Sequence, residues 1–154
     1  MTLSLQRSAV VFVVTLVSVL PAGCDRKKPQ GQIEADLTRS EARWLEIESI
    51  RLLRDYVRID TSIGRGEEEG ARFLEQFFAC AGIETEIVCP SPRRCNLLAR
   101  LPGRRREGAL LLLNHIDVAP ADPATWKDAL PFEGKIKAGF FYGRGAYDMK
   151  SLAI

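Results

Sequence analysis

Apolar residues recur at helical spacing in two stretches near the middle of the chain. In residues 44–57 they follow a capping-box pattern at residues 38–41, which predicts one amphipathic helix. A second helix is predicted over residues 67–81, where the apolar face is rich in phenylalanine. Gly82 comes next and stands where a C-terminal cap belongs.

Shorter apolar segments, bounded by turn residues, predict strands. These segments are residues 83–88, 95–101, 109–116, 134–136 and 140–142. The last two are close enough to form a short hairpin, and another helix is predicted from Met149 onward. Two helices, then strands, then a following helix predict an α/β sandwich.

The N-terminus has the pattern of an export signal. Arg7 precedes an uncharged run from Ser8 to Cys24, which is shorter than the roughly 20 residues that a membrane-spanning helix needs. Residues 20–24 resemble a lipoprotein box, so Cys24 is a lipidation candidate, with plain cleavage or an uncleaved anchor as alternatives. We therefore expect an exported, periplasmic or extracellular protein, anchored to the membrane through its N-terminus.

Three segments follow from this pattern: a signal in residues 1–24, a polar tether in residues 25–37 and one folded domain in residues 38–154. The chain has 154 residues and is 46% hydrophobic and 27% charged, as expected for a globular domain. Its net charge of +2 argues against a nucleic-acid partner, which usually requires a basic surface.

Three cysteines lie in the predicted domain. Cys89 and Cys95 flank the turn-like residues 90–92, so they are able to pair if the chain is exported. Cys80 is predicted to pack in the core, and the odd count leaves at least one thiol free or paired elsewhere. The spacing contains no Cys-x-x-Cys, and we do not interpret these cysteines as metal ligands.

The chemistry of the chain concentrates at the end of the predicted strand over residues 109–116. His115, the only histidine, is followed at spacing two by Asp117, so both side chains are expected on one face of the strand. Asp148 follows the glycine-containing turn at residues 143–145. Imidazole and carboxylate groups are ligands suited to zinc. The alternative from these residues alone is that His115 is a core histidine and Asp148 caps the helix beginning near Met149.

Residues 109–150 resemble the first metal motifs of the M20 family of zinc peptidases, which includes carboxypeptidase-, aminoacylase- and succinyl-diaminopimelate desuccinylase-like enzymes. The matching motifs are His115-Ile116-Asp117-Val118-Ala119-Pro120, then Trp126, Pro131-Phe132, Gly134, and Gly143-Arg144-Gly145-Ala146-Tyr147-Asp148-Met149-Lys150. The similarity covers residues 42–154. Asn114 and Ser151 stand where the family usually has glycine.

The resemblance implies a fold, a cofactor and roles for three residues. His115 would ligate one zinc ion, Asp148 would bridge two, and Asp117 would orient His115 and count as a catalytic residue. Cobalt or manganese are alternatives, since these ligands accept several divalent ions. The peptide bond after Asp148 is expected to be cis. The implied fold is the N-terminal portion of a zinc-peptidase-like α/β sandwich catalytic domain, truncated.

The family's remaining ligands, its general-base glutamate and its dimerisation domain lie further along its sequence than Ile154. We therefore expect this chain to be an N-terminal piece of a larger enzyme, inactive alone, with a homodimer possible only in the full-length protein. The implied substrate is a small peptide or N-acyl amino acid, cleaved at an amide bond next to a free carboxylate. The rival hypothesis is a non-catalytic, lipid-anchored remnant that serves as a binding module.

Overall fold

The computed structural model describes residues 39–105 and 107–154. The predicted signal, the tether and Cys24 lie outside these ranges. The helices are α1 (Arg39–Trp44), α2 (Glu48–Val57), α3 (Glu68–Cys80) and α4 (Ser151–Ala153), with a 3-10 turn at Pro123–Thr125 and an irregular turn at Ala146–Lys150. The strands are β1 (Glu84–Ser91), β2 (Arg94–Arg100), β3 (Lys135–Lys137) and β4 (Phe140–Tyr142). None of the helices in these ranges is long and apolar enough to cross a membrane.

The described strands form two antiparallel hairpins. In the first, β1 pairs with β2, and Glu86 faces Leu98. In the second, β3 pairs with β4, and Ile136 faces Phe141. Helices and strands are thus mixed, as the predicted α/β class requires, and the short hairpin over β3 and β4 is confirmed. Across the described ranges the strands lie in two separate two-stranded sheets. These elements form only a portion of the expected α/β sandwich.

Helix α3 forms nearly where the sequence predicts it. Its last turn ends in a left-handed residue, Gly82, with a φ of 70°. The Gly82 amide donates to the carbonyl oxygen of Ala79, and the Ile83 amide donates to that of Phe78. These bonds satisfy carbonyls that a helix end leaves without partners, so the predicted glycine cap is confirmed.

The single helix predicted over residues 44–57 is wrong at its start, over residues 44–47. The chain instead forms the short helix α1, a turn, and then α2. Trp44 and Ile47, both counted in the apolar periodicity, are exposed, whereas Leu52, Tyr56 and Val57 are buried. Helices of this length depend on packing of their apolar face, so the helix continues only where that face is covered.

The strand predicted over residues 109–116 does not form. This segment makes no ladder with another described strand, and Leu110, Leu111 and Leu113 are exposed, Leu113 to 83%. A continuous apolar run is typical of a strand that is covered on both faces and paired at its edges. None of the described strands pairs with it, and only beyond its end do Ser62 and Val118 form an isolated parallel bridge.

The core is centred on α3, which packs against both strands of the β1–β2 hairpin and contacts α2. The stacked rings of Tyr56 and Phe73 join the two helices, with centroids 5.5 Å apart. Cys95, buried at the start of β2, forms a disulfide with Cys89, so the suggested pairing is confirmed. Cys80 is only half-buried and is also disulfide-bonded, so its prediction as a simple core residue is wrong.

Candidate metal centre

The loop after α2 fixes the end of the segment that carries His115. The buried hydroxyl of Thr61 donates to the carbonyl oxygen of Ile116 over 2.7 Å. The Val118 amide donates to the carbonyl oxygen of Thr61 over 3.2 Å. These two bonds lie on either side of Asp117, so they hold the backbone that presents the histidine and aspartate, although the segment is not a strand.

A glycine turn brings Asp148 to the same place. Gly145 has a φ of 79°, and a Cβ atom there would clash with the side chain of Val118. A Cβ atom at Gly143 would clash with Val57 at the end of α2. At Gly145 only glycine allows both the left-handed backbone and the close approach, and at Gly143 the close approach alone requires it. The Asp148–Met149 peptide bond that follows is cis, as the resemblance implies.

Lys150 anchors the other side of this turn. Its side chain is fully buried, and Nζ donates to the carbonyl oxygens of Tyr56 over 2.9 Å and Ile59 over 2.7 Å. The ammonium also lies 4.6 Å from the centroid of the Tyr56 ring. Carbonyls at a helix C-terminus favour a cation, so the lysine ties the turn to the end of α2.

The structure brings all three predicted site residues together. His115 Nε2 lies 3.0 Å from Asp148 Oδ1. On the other side of the ring, Nδ1 lies 2.8 Å from the backbone carbonyl oxygen of Asp117 and 3.3 Å from its Oδ1. Asp117 therefore holds the imidazole mainly through its main chain, with its carboxylate as the more distant partner.

These contacts define the proton positions on His115. A backbone carbonyl is only an acceptor, so Nδ1 carries a proton. Nε2 then faces the carboxyl group of Asp148, and their contact requires a proton on one of the two groups or a cation shared by both. The hydrogen bond to Asp148 raises the pKa of His115, partial burial opposes it, and the carbonyl and charge of Asp117 add to the increase.

The donor set fits a divalent cation in type and spacing. Two donor atoms 3.0 Å apart can both lie about 2.0–2.2 Å from one ion, the usual distance for nitrogen and oxygen ligands of zinc. Both side chains are accessible, His115 to 43% and Asp148 to 80%. Within the described ranges, however, no group of three or more His, Cys, Asp or Glu side chains surrounds a common point.

The alternative roles for His115 and Asp148 do not match this geometry. His115 is partly exposed, so it is not a core histidine. Helix α4 has Lys150 at its N-cap position and no side-chain cap hydrogen bond, so Asp148 does not cap it.

Sequence reasoning missed two residues that position the site. Thr61 lies outside the matching motifs, and its contact with Ile116 spans 55 residues of sequence. Lys150 was noted only as a motif residue, and its burial depends on carbonyls more than 90 residues away. The only available signal was that each lies in a segment resembling the family.

Comparison with known proteins places these motifs in a family. Peptidase family M20/M25/M40 matches residues 111–154. Aminoacylase-1 of Sus scrofa is 36% identical over 119 residues, which cover 75% of this chain and 29% of that protein. Succinyl-diaminopimelate desuccinylase of Ruegeria pomeroyi is 34% identical over 108 residues, which cover 70% of this chain and 28% of that protein. An N-fatty-acyl-amino acid synthase/hydrolase of Xenopus tropicalis is 48% identical over 44 residues, which cover 29% of this chain and 8% of that protein.

This chain thus spans less than a third of the length of the first two relatives. The family match includes His115, Asp117 and Asp148, the three side chains that the structure brings together. The sequence matches and the geometry therefore agree on the same segment. Over the part of the chain that these matches cover, the protein belongs to peptidase family M20.

Proposed function

We propose that this chain belongs to a metal-dependent hydrolase that cleaves an amide or peptide bond next to a free carboxylate. The observation that carries the proposal is the 3.0 Å approach of His115 Nε2 to Asp148 Oδ1. The relatives support the hydrolase class, since they are amidohydrolases and peptidases. By analogy with them, the substrate is a small peptide or an N-acyl amino acid.

Each of the three residues has a separate role in this proposal. His115 and Asp148 would hold the metal through nitrogen and oxygen, and Asp148 would offer its second carboxylate oxygen to a second ion. The carbonyl of Asp117 keeps the proton on Nδ1, which leaves the Nε2 lone pair for the metal. Zinc is the proposed ion, with cobalt or manganese as alternatives. Once bound, such an ion supplies a Lewis acid for an amide carbonyl and activates water.

Titration of the purified 154-residue chain with Co²⁺ tests the metal site, because Co²⁺ absorption reports its ligands. We expect His115→Ala and Asp148→Ala each to weaken binding by about tenfold or more. Asp117→Asn is expected to weaken it less, because the shorter contact to Nδ1 comes from the backbone. Asp128→Asn is the matched control, since Asp128 pairs with Lys137 and not with the site. Equal Co²⁺ binding by all four variants would refute the proposal.

Hydrolytic activity is tested separately, on the protein that the complete reading frame encodes, whatever the length of that frame. N-acetyl amino acids and their amides are the substrates, because only the former carry a carboxylate next to the cleaved bond. We expect hydrolysis that a chelator abolishes and that requires the carboxylate. Chelator-resistant hydrolysis would contradict the metal-dependent class.

We also propose that the protein is exported. The Cys89–Cys95 disulfide supports this, because disulfides persist mainly in oxidising compartments. Fusion of residues 1–37 to a reporter that folds only outside the cytoplasm tests the proposal. We expect an active reporter with the natural sequence and an inactive one when residues 9–17 carry two added charges. Equal reporter activity in both fusions would contradict export by this segment.

A further inference from the structure

The backbone amide of His115 donates a hydrogen bond to the side chain of Met149. The amide nitrogen lies 3.4 Å from the Met149 Sδ, and the contact spans 34 residues of sequence. Within the described ranges this is the only hydrogen bond that the main chain of residues 109–115 makes. Because this segment pairs with no described strand, the sulfur gives the His115 amide the partner that a neighbouring strand would otherwise supply.

Two consecutive residues thus contact both parts of the same histidine. Asp148 Oδ1 lies 3.0 Å from the imidazole Nε2, and the next side chain, that of Met149, holds the main chain of His115. The ring and the main chain of His115 are therefore both placed relative to one short turn. A ligand held at both points needs less rearrangement when an ion binds.

The contact of Met149 is separate from those of Thr61. Thr61 bonds to the carbonyl oxygen of Ile116 and to the amide of Val118, so it holds the chain after His115. Met149 holds the chain at His115 itself. The two supports come from different parts of the fold, the loop after α2 and the turn at Ala146–Lys150, so neither replaces the other.

We propose that Met149 is a positioning residue of the candidate metal centre, and that its thioether sulfur holds the His115 main chain where the ring shares an ion with Asp148. The inference rests on the proposed function, because it assigns a residue that supports that same site. The alternative is that Met149 serves only by its apolar bulk, since it is half-buried and lines a cavity together with Leu74 and Phe78. A thioether is both apolar and a weak acceptor, so the two roles require variants that separate these properties.

Two substitutions each keep one property of the methionine. Met149→Leu keeps the apolar bulk and removes the acceptor, whereas Met149→Gln keeps the length and offers a carbonyl oxygen as acceptor but loses the apolar character. If the sulfur positions His115, leucine disturbs the site and glutamine preserves it, and a role in packing alone gives the opposite order. Tyr147→Leu is the matched control, because Tyr147 lies on the other side of Asp148 and is 94% exposed.

Hydrogen exchange of the His115 amide, measured by NMR on the metal-free 154-residue chain, reports this bond directly. His115 is the only histidine, so labelling histidine with ¹⁵N gives a single backbone amide signal. We expect exchange to be about threefold faster in Met149→Leu than in the natural chain, the order expected for one hydrogen bond to a weak acceptor. Met149→Gln and Tyr147→Leu are expected to keep the natural rate. An unchanged rate in Met149→Leu, or an equal increase in Met149→Gln, would overturn the inference.

Titration of the same variants with Co²⁺ separates this inference from the proposed function. If the natural chain binds Co²⁺ through His115 and Asp148, Met149→Leu is expected to bind it about threefold more weakly and Met149→Gln with the natural affinity. Equal Co²⁺ affinity of the natural chain and Met149→Leu would then overturn the positioning role alone. If the natural chain does not bind Co²⁺ but the exchange rates change as expected, the metal proposal fails and the support of His115 by Met149 stands.

Discussion

Lys150 provides a quantitative test of how the site is held, because its ammonium is fully enclosed by protein two residues from Asp148. Its two hydrogen bonds reach the carbonyl oxygens of Tyr56 and Ile59 at the end of α2. Lys150→Met keeps the length and most of the apolar volume of the side chain but removes the charge and both donors. The variant therefore isolates what the ammonium contributes.

Burial lowers the pKa of Lys150 from 10.5 to about 8, while the charges of Asp60 and Glu69 act in the opposite direction. Between these values the unfolded chain binds more protons at this lysine than the folded chain, so the free energy of unfolding rises with pH. At about 1.36 kcal/mol per pKa unit the whole effect is about 3 kcal/mol, of which about 2 kcal/mol falls between pH 7 and 9.5.

The variant lacks this titration. At pH 7 it loses two hydrogen bonds but also avoids desolvating an ammonium, so its net loss is about 2 kcal/mol or less. At pH 9.5 the natural chain has gained stability and the variant has not, so the difference should widen by about 2 kcal/mol. Burial raises the pKa of the Tyr56 hydroxyl, which destabilises the fold only near and above about pH 10.

Urea unfolding of both chains at pH 7 and pH 9.5, followed by circular dichroism, measures these differences. Lys127→Met is the matched control, since Lys127 is exposed and is expected to show the same pH dependence as the natural chain. If Lys150→Met and the natural chain gain or lose equal stability between the two pH values, Lys150 is not a buried cation and this account of the turn is wrong.

Two further predictions concern the glycine turn and the activity of the chain. Gly145→Ala is expected to destabilise the fold by more than about 2 kcal/mol, because a left-handed alanine costs about 1–2 kcal/mol and its methyl group would also meet Val118. Gly64→Ala is the control, since Gly64 has a φ of 96° and no atom lies within 4 Å of the added carbon, so this variant should lose only the conformational part of the free energy of unfolding. Equal losses of stability by the two variants in urea unfolding would contradict the clash with Val118. The purified 154-residue chain with Zn²⁺ is expected to show no hydrolysis of N-acetyl-L-alanine, because within its described ranges only two ligand-type side chains converge on one point. Measurable hydrolysis that is lost in His115→Ala would refute this prediction.

Elements built from local contacts were predictable from the sequence. Helix α3 combines an apolar face, acidic residues in its first turn and a glycine two residues after its end, and all three signals lie within 16 residues. The β3–β4 hairpin likewise needs only its own residues and the two between its strands. In both cases the bonds that form the element are made by neighbours in sequence.

Elements that depend on distant contacts were not predictable. The apolar run at residues 109–116 has the composition of a strand, but a strand forms only when another strand pairs with it, and none of the described strands does so. Helix α1 separates from α2 because the apolar residues at their junction are exposed. In each case the sequence records the apolar character of the segment and not the surface that would cover it.

The candidate site shows the same division. The ligand types at His115 and Asp148 were found from the sequence, because their side-chain chemistry is local and their motifs resemble a family. The distance between them could not be predicted from the sequence, since it depends on contacts that Thr61 and Lys150 make with residues far along the chain. A charged residue such as Lys150 is usually expected at the surface, so the sequence does not indicate that its buried side chain positions the site.

The loop after α2 is the common support of both candidate ligands. Thr61 in this loop holds the backbone on either side of Asp117, and Ile59 accepts a hydrogen bond from Lys150 beyond Asp148. Gly145 packs against Val118, which closes the contact between the two ligand-bearing segments. His115 and Asp148 are 33 residues apart in sequence, so their 3.0 Å approach depends on all three contacts at once. A change in the loop should therefore alter the candidate metal centre even when it touches neither ligand, whereas a change at the exposed Phe140 of β4 should not.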